Sequence, residues 1–398
     1  MNDLARVASK YGFGTVHAAM RHYVDAELLP GISCAVMVGR DLVDLHCEGW
    51  ADKESKVALR TDHLFRAFSN TKLVTSCAAL LLVEEGRIGL DDPVERYIPQ
   101  LGNRQVLRPG AQTLDDTEPA DRPITIRHLL SHSSGLGYGV FDLGTVLSKA
   151  FNERMVRNPN TPLTEMIEIL SGLPLAYHPG EGWQYSIATD VVGRLVEIVS
   201  GQRLDAFFQS KIFGPLGMVD TGFVVPEGSR QRLTAYYAGA SLEDPMKPGL
   251  TRTDDAPYPQ AYLRPFPRLS GGGGLVTSLP DMIALVRSLL SGGPTLLKRE
   301  TLAQMMTNQL PQGRWLHFTG MGEITGKGFG LAGAVAVAPT SLDPRDSAGE
   351  LHWGGVAGTH WWISPKNNLV GLLMTQRQMA FWHPFFFELK NLIYQAVR

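Results

Sequence analysis

The sequence is poor in cysteine and nearly balanced in charge. Its 398 residues include three cysteines, an odd number with no C-x-x-C spacing, which argues against a disulfide framework. Cys34, Cys47 and Cys77 lie in apolar surroundings and are predicted to be reduced core residues. A net charge of -2 leaves no electrostatic footprint for nucleic acid or an anionic membrane. Small or neutral partners are therefore expected.

No apolar run approaches the length needed to cross a bilayer. The N-terminal stretch "MNDLARVASKYGFG" also lacks a basic head followed by an apolar segment, which is the mark of a signal peptide. From these two absences we expect a cytoplasmic protein without a membrane partner. The oligomeric state stays open.

Several cofactor and catalytic motifs are missing. "HLLSH" places His128 and His132 four residues apart but lacks the glutamate of H-E-x-x-H, so no metal is predicted. Neither Gly271–Gly274 nor "ITGKGFG" completes a phosphate loop, and no other cofactor motif occurs. The absence of G-x-S-x-G excludes the usual α/β-hydrolase arrangement of a serine enzyme.

The patterns that are present predict an α/β fold. With 44% hydrophobic residues the chain can bury a large core. An amphipathic helix is predicted near Val16–Leu28, then two strands in "GISCAVMVG" and "DLVDLHCEGWA", and further strands in the last third before a final helix. We predict an antiparallel sheet flanked by helices and built from both ends of the chain, with residues 1–80 joining 275–398. Residues 81–274 would form an inserted, mainly helical domain with a long aromatic loop, whose Tyr258, Tyr262 and Phe266 would either wall an apolar substrate pocket or serve only in loop packing.

One short motif points to nucleophilic catalysis. In "FSNTKLVTSCAALLLVEEG", Ser69 precedes Lys72 by three residues, so a helix would bring hydroxyl and amine within hydrogen-bonding reach. Burial along this apolar helix would lower the pKa of Lys72 toward the range of a useful base. The simpler interpretation makes Ser69 a helix N-cap and Lys72 a solvated side chain. The Ser69–Lys72 spacing alone therefore does not identify a catalytic site.

Further motifs follow along the chain: Tyr185 lies in "QYSIATD", and Gly354 and Gly355 lie in "LHWGGVAG". Together with "HLLSHSSGL", "IFGPLGM" and "GGGGLVTSLPDM", these motifs span about residues 31–374. In this order the sequence resembles the family VIII carboxylesterases, which are esterases on the class C β-lactamase and D-peptidase fold.

The resemblance implies roles for individual residues. Ser69 would be the nucleophile, with Lys72 and Tyr185 as the proton-handling pair beside it. A phenol near an ammonium would have its pKa lowered and the lysine its own raised. The oxyanion would be held by the backbone N–H groups of Ser69 and Val356. Trp353, Gly354 and Gly355 would line the substrate site.

Two departures from the β-lactamase pattern bear on the substrate. Tyr185 is followed by Ser186 and Ile187, so the asparagine of Tyr-x-Asn is missing, and Trp353-Gly354-Gly355 replaces Lys-Thr-Gly, which removes a cation suited to a substrate carboxylate. We therefore predict a serine carboxylesterase acting on small ester substrates, with short acyl chains as the family-level expectation. A β-lactamase or D-amino-acid peptidase, acyl transfer to an alcohol, and a non-catalytic binding protein are the alternatives.

Overall fold

A computed structural model describes residues 10–398. The strands are β1 (Gly31–Val38), β2 (Asp41–Asp52), β3 (Val57–Ala58), β4 (Leu64–Arg66), β5 (Gln105–Leu107), β6 (Thr117–Pro119), β7 (Tyr237–Gly239), β8 (Leu250–Arg252), β9 (Val276–Ser278), β10 (Leu316–Phe318), β11 (Gly322–Ile324), β12 (Lys327–Phe329), β13 (Ala334–Ala336), β14 (Leu351–Gly355), β15 (Thr359–Ser364) and β16 (Leu369–Thr375). The α-helices are α1 (Gly14–Asp25), α2 (Thr71–Glu84), α3 (Ile126–Leu130), α4 (Val146–Glu153), α5 (Leu163–Ser171), α6 (Ala188–Ser200), α7 (Leu204–Phe208), α8 (Gly214–Leu216), α9 (Leu279–Arg287), α10 (Arg299–Met305) and α11 (Pro384–Ala396).

The main sheet joins the two ends of the described chain. Its strand order is β12-β13-β14-β15-β16-β1-β2-β3, and the paired strands run antiparallel. Strands β1 and β2 form the predicted hairpin, and β1 also pairs with β16, where Ile32 lies opposite Thr375. The predicted fold class, an antiparallel sheet flanked by helices, is confirmed.

Each face of the sheet has its own core. Successive side chains of a strand point to opposite faces, and β15 shows this with two adjacent, fully buried tryptophans. Trp362 packs in the cluster under α1 and α11, whereas Trp361 packs in the larger cluster that includes α2 and the helical region. Both tryptophans are therefore core residues.

The helical region lies between β4 and β9. Helix α6 packs on α2 and ends at Gly201, whose left-handed backbone (φ +73°) favours glycine. Short hairpins, β5–β6 and β7–β8, interrupt this region, and α2 crosses the predicted boundary at residue 80. The two-domain division stays a prediction, and its residues 1–9 lie outside the described part. None of the helices within residues 10–398 is long and apolar enough to cross a membrane.

A buried ion cluster fastens the last helix to the sheet. Lys390 of α11 contacts Glu350, which directly precedes β14, and lies 3.4 Å from Asp343. Lys327 of β12 lies 2.8 Å from the same aspartate, and the Tyr394 hydroxyl donates to Glu350 at 2.6 Å. Lys390 and Glu350 are fully buried, so each charge depends on the other for compensation.

Candidate active site

Ser69 lies where β4 turns into α2. It is the central residue of the 3₁₀ turn Phe68–Asn70, two residues before the start of the α-helix at Thr71 rather than inside its first turn as predicted. Phe68 has a left-handed backbone (φ +44°), which is uncommon for a bulky residue and changes the chain direction just before Ser69. The serine therefore sits at a corner, where it borders two cavities.

Tyr185 reaches Ser69 directly. Its hydroxyl donates a 2.7 Å hydrogen bond to Ser69 Oγ, and it accepts a 3.3 Å hydrogen bond from the indole N–H of Trp353. The tyrosine lies three residues before α6, and α6 packs against α2, the helix that follows Ser69. Trp353 thus touches the phenol as well as lining a cavity, a contact that the sequence did not predict.

Lys72 lies beside this pair without bonding to the serine. Its ammonium donates a 2.6 Å hydrogen bond to the carbonyl of Gly272 and lies 4.6 Å from the centre of the Tyr185 ring. The expected hydrogen bond from Lys72 to Ser69 is therefore replaced by one to a backbone carbonyl two hundred positions away. Glycine at position 272 permits this packing, because a Cβ there would lie 2.5 Å from Asp190 Oδ2 and 3.4 Å from Lys72 Nζ.

Burial shifts the pKa values of Lys72 and Tyr185. Desolvation lowers the pKa of Lys72, as predicted, although the negative charges that Tyr138 and Asp190 can carry partly oppose the shift. Desolvation also raises the pKa of Tyr185 above its usual value, against the opposing effect of its hydrogen bonds with Ser69 and Trp353. The expectation of a lowered tyrosine pKa is therefore wrong, because burial outweighs the hydrogen bonds that favour the phenolate.

The expected oxyanion donors lie on either side of the same space. Val356 follows directly on β14, whose Gly354 and Gly355 are buried in the strand. A Cβ on Gly355 would lie 2.6 Å from the carbonyl of Ala67, so glycine permits β14 to pack closely against the Ser69 turn. Ser69 and Val356 both border the two cavities. Among residues 10–398, no backbone carbonyl outside the helices and strands accepts a hydrogen bond from the N–H group of either residue.

His132 holds both neighbours of Tyr185 in place. Its carbonyl accepts from the Gln184 N–H at 3.0 Å, and its ring Nδ1 accepts from the Ser186 N–H at 3.2 Å. A backbone N–H can only donate, so Nδ1 is the acceptor in this contact; it also lies 3.0 Å from the Ser186 hydroxyl, and burial lowers the pKa of His132 well below its usual value. The sequence singled out His132 only as a weak metal-ligand candidate and gave no sign of this role.

We expect that His132→Leu lowers kcat about 10²-fold with little change in KM, since a displacement of Tyr185 on the order of 1 Å is enough for such a loss. His132→Asn should retain most of the activity, because asparagine offers an acceptor near Nδ1 and tolerates the left-handed backbone of this position (φ +56°). Steady-state kinetics and Tm of both variants test this. The prediction would be contradicted if His132→Leu and His132→Asn lost activity equally and in proportion to their decrease in Tm.

Two cavities of different size meet at Ser69. The smaller, about 50 Å³, is apolar and contains Tyr185, Trp353 and Gly354 in its wall. The larger, about 450 Å³, has Tyr258 and Tyr262 of the predicted aromatic loop in its wall, but not Phe266. The structure therefore brings Ser69, Lys72, Tyr185, Val356 and the Trp353-Gly354-Gly355 strand to one place, with space on two sides of the serine.

Comparison with known proteins gives consistent matches over nearly the whole chain. Residues 16–381 match the family described as Beta-lactamase. "Esterase EstB" of Burkholderia gladioli is 34% identical over 343 residues, covering 82% of this chain and 81% of that protein. "Lovastatin esterase" of Penicillium rubens is 32% identical, covering 78% and 79%. The solved structure "EstCE1, a hydrolase with promiscuous acyltransferase activity" superposes with a TM-score of 0.80 at 24% identity, covering 98% of this chain and 99% of that one, and shows the shared fold.

Proposed function

The chain belongs to the Beta-lactamase family and is a serine hydrolase of that fold, and from this premise we propose that it is a carboxylesterase that cleaves short-chain acyl esters through an acyl-Ser69 intermediate. One observation carries the proposal. The Tyr185 hydroxyl lies 2.7 Å from Ser69 Oγ, and a buried lysine lies against the same phenol ring.

The proposed reaction has two acyl-transfer steps. Ser69 Oγ attacks the ester carbonyl carbon, its proton passes to the Tyr185–Lys72 pair, and the oxygen of the tetrahedral intermediate is held by the N–H groups of Ser69 and Val356. Collapse of the tetrahedral intermediate breaks the bond between the former carbonyl carbon and the alcohol oxygen, and the alcohol leaves with the proton taken from Ser69. Water then repeats the sequence on the acyl-serine and releases the carboxylic acid. The lowered pKa of Lys72, caused by burial, supports neutral Lys72 as the final proton acceptor, reached through the phenol that contacts the serine.

The cavities support the choice of substrate. We assign the short acyl group to the small apolar cavity beside Trp353 and the alcohol portion to the larger one. Position 353, where β-lactamases carry the lysine of Lys-Thr-Gly, holds a buried indole, so this side offers no cation to a β-lactam carboxylate. This arrangement favours ester over β-lactam substrates.

Burst kinetics with p-nitrophenyl butyrate, combined with intact mass, test the proposal. We expect a nitrophenol burst stoichiometric with enzyme and a butyryl adduct on the protein, while nitrocefin is hydrolysed far more slowly. Efficient nitrocefin hydrolysis without ester turnover would instead identify a β-lactamase. An added alcohol that diverts the acyl group into a new ester would identify acyl transfer.

The pH dependence of kcat/KM should report the lysine. Because only neutral Lys72 accepts a proton, we expect activity to rise with pH through a midpoint below about 10.4, the ordinary lysine value. Lys72→Arg should remove both the rise and most of the activity, since arginine stays protonated throughout. A rise that persists in this variant would place the base elsewhere.

A further inference from the structure

The larger cavity beside Ser69 carries more positive than negative charge. Arg157, Arg268 and Asp190 contribute to its wall, and Asp190 is its acidic residue among those the structure describes. We propose that this cavity binds a carboxylate on the alcohol portion of the ester, held by Arg268 and Arg157. The proposal rests on the esterase function above and narrows its substrates to esters of apolar hydroxy acids.

Arg268 is a buried cation whose hydrogen bonds are incomplete. It is 7% exposed, and its Nε and Nη1 donate to the carbonyls of Thr161 and Val156 at 2.9 and 2.5 Å. Its Nη2 has no acceptor among residues 10–398, and Asp190 acts on it only as a nearby charge rather than as an ion-pair partner. A buried donor without an acceptor is unfavourable, and because Arg268 borders the cavity, a carboxylate bound there would compensate its charge.

The same hydrogen bonds place Arg157 next to the cavity. The two carbonyls that Arg268 holds, at Val156 and Thr161, bracket the segment that carries Arg157. The Arg157 guanidinium lies 5.8 Å from the centre of the Tyr138 ring, and the Lys72 ammonium lies 5.7 Å from the same centre. The cavity wall therefore offers an exposed guanidinium close to the reacting groups as well as a buried one.

Asp190 does not cancel this charge. It is almost fully buried in the first turn of α6, and its Oδ2 faces Gly272, the residue whose carbonyl binds Lys72. Two guanidinium groups against one carboxylate leave the wall cationic, and guanidinium matches the two oxygens of a carboxylate. The remaining wall is largely aromatic, with Phe68, Tyr138, Phe141, Tyr258 and Tyr262, which suits an apolar body between ester and carboxylate.

A matched pair of esters tests the proposal. 4-Acetoxybenzoate and its methyl ester share the acetyl group and differ in the negative charge, so the ratio of their kcat/KM values isolates the carboxylate. We expect the wild type to prefer the acid about tenfold or more, mainly through KM, and the preference to weaken at high salt. Arg157→Gln should lower the ratio about tenfold. Arg154→Gln, a nearby exposed arginine outside the cavity wall, should retain it.

Equilibrium binding separates this proposal from the esterase function. Titration of the same two compounds into Ser69→Ala requires no turnover, and tighter binding of the acid that is lost on adding Arg157→Gln supports the subsite even if ester hydrolysis is absent. If the wild type hydrolyses p-nitrophenyl butyrate but does not prefer 4-acetoxybenzoate over its methyl ester, the carboxylate subsite is overturned and the esterase function stands. The same conclusion follows if the preference for the acid persists in Arg157→Gln. Equal kcat/KM values and equal affinities for the acid and its methyl ester would likewise overturn the carboxylate subsite.

Discussion

Ser69→Ala is expected to lower kcat for p-nitrophenyl butyrate by about 10³- to 10⁶-fold and to abolish the butyryl adduct. The substitution removes the oxygen that forms the acyl bond, whereas the Val356 N–H and both cavities stay in place. Substrate binding should therefore change little. Burst kinetics and intact mass, measured side by side with the wild type, give the two readouts.

The matched control is Ser76→Ala. Ser76 is a buried serine on the same helix α2, but it borders neither cavity at Ser69. It should keep the adduct and most of the turnover. A butyryl adduct that persists in Ser69→Ala would assign the acyl group to another residue, and peptide mapping would then locate it.

The second large effect is expected from the buried ion cluster. Lys390→Met leaves Glu350 charged in a site without solvent, and removing one partner of a buried pair costs about 3–5 kcal/mol. Because Glu350 directly precedes β14, the loss should also loosen the strand that carries Trp353, Gly354 and Gly355. Urea unfolding measures the free energy, and kcat at temperatures below the transition measures the effect on the site.

Two further variants separate a buried charge from lost packing. Lys390→Met combined with Glu350→Leu removes both charges, so the double variant should be more stable than Lys390→Met alone. Asp346→Asn breaks the exposed pair with Arg398 near the same helix and should cost no more than about 1 kcal/mol. A Lys390→Met variant as stable as Asp346→Asn would show that the cluster contributes little.

The sequence predicted the elements of this fold better than the contacts of its site. Alternation and glycine turns were enough to identify the β1–β2 hairpin, and the ordered motifs identified the residues that meet at Ser69. Helix bounds shifted by a few residues, with α1 at Gly14–Asp25 rather than Val16–Leu28, because helix ends depend on local hydrogen bonds that periodicity does not encode.

The contacts that were missed all depend on tertiary packing. Lys72 binds a carbonyl of Gly272, and a backbone carbonyl has no side-chain signature in a sequence. The pKa of Tyr185 was predicted in the wrong direction because its burial comes from rings far away in the chain, including Phe318 and Trp353. His132 positions Tyr185 through its backbone and one ring nitrogen, which a search for metal-ligand spacing does not detect.

The pairing of β1 with β16 joins two strands that are synthesised far apart in time, so the main sheet is completed late. Ile32 can pair with Thr375 only after β16 has been synthesised and has left the ribosome. Until then the apolar strand "GISCAVMV" has one edge without its native partner, and Ser69 lacks Val356 until β14 and the residue after it have been synthesised. A nascent chain stalled before β14 would therefore carry Ser69, Lys72 and Tyr185 without Val356, whose N–H we propose as an oxyanion donor, and we expect such a chain to be inactive.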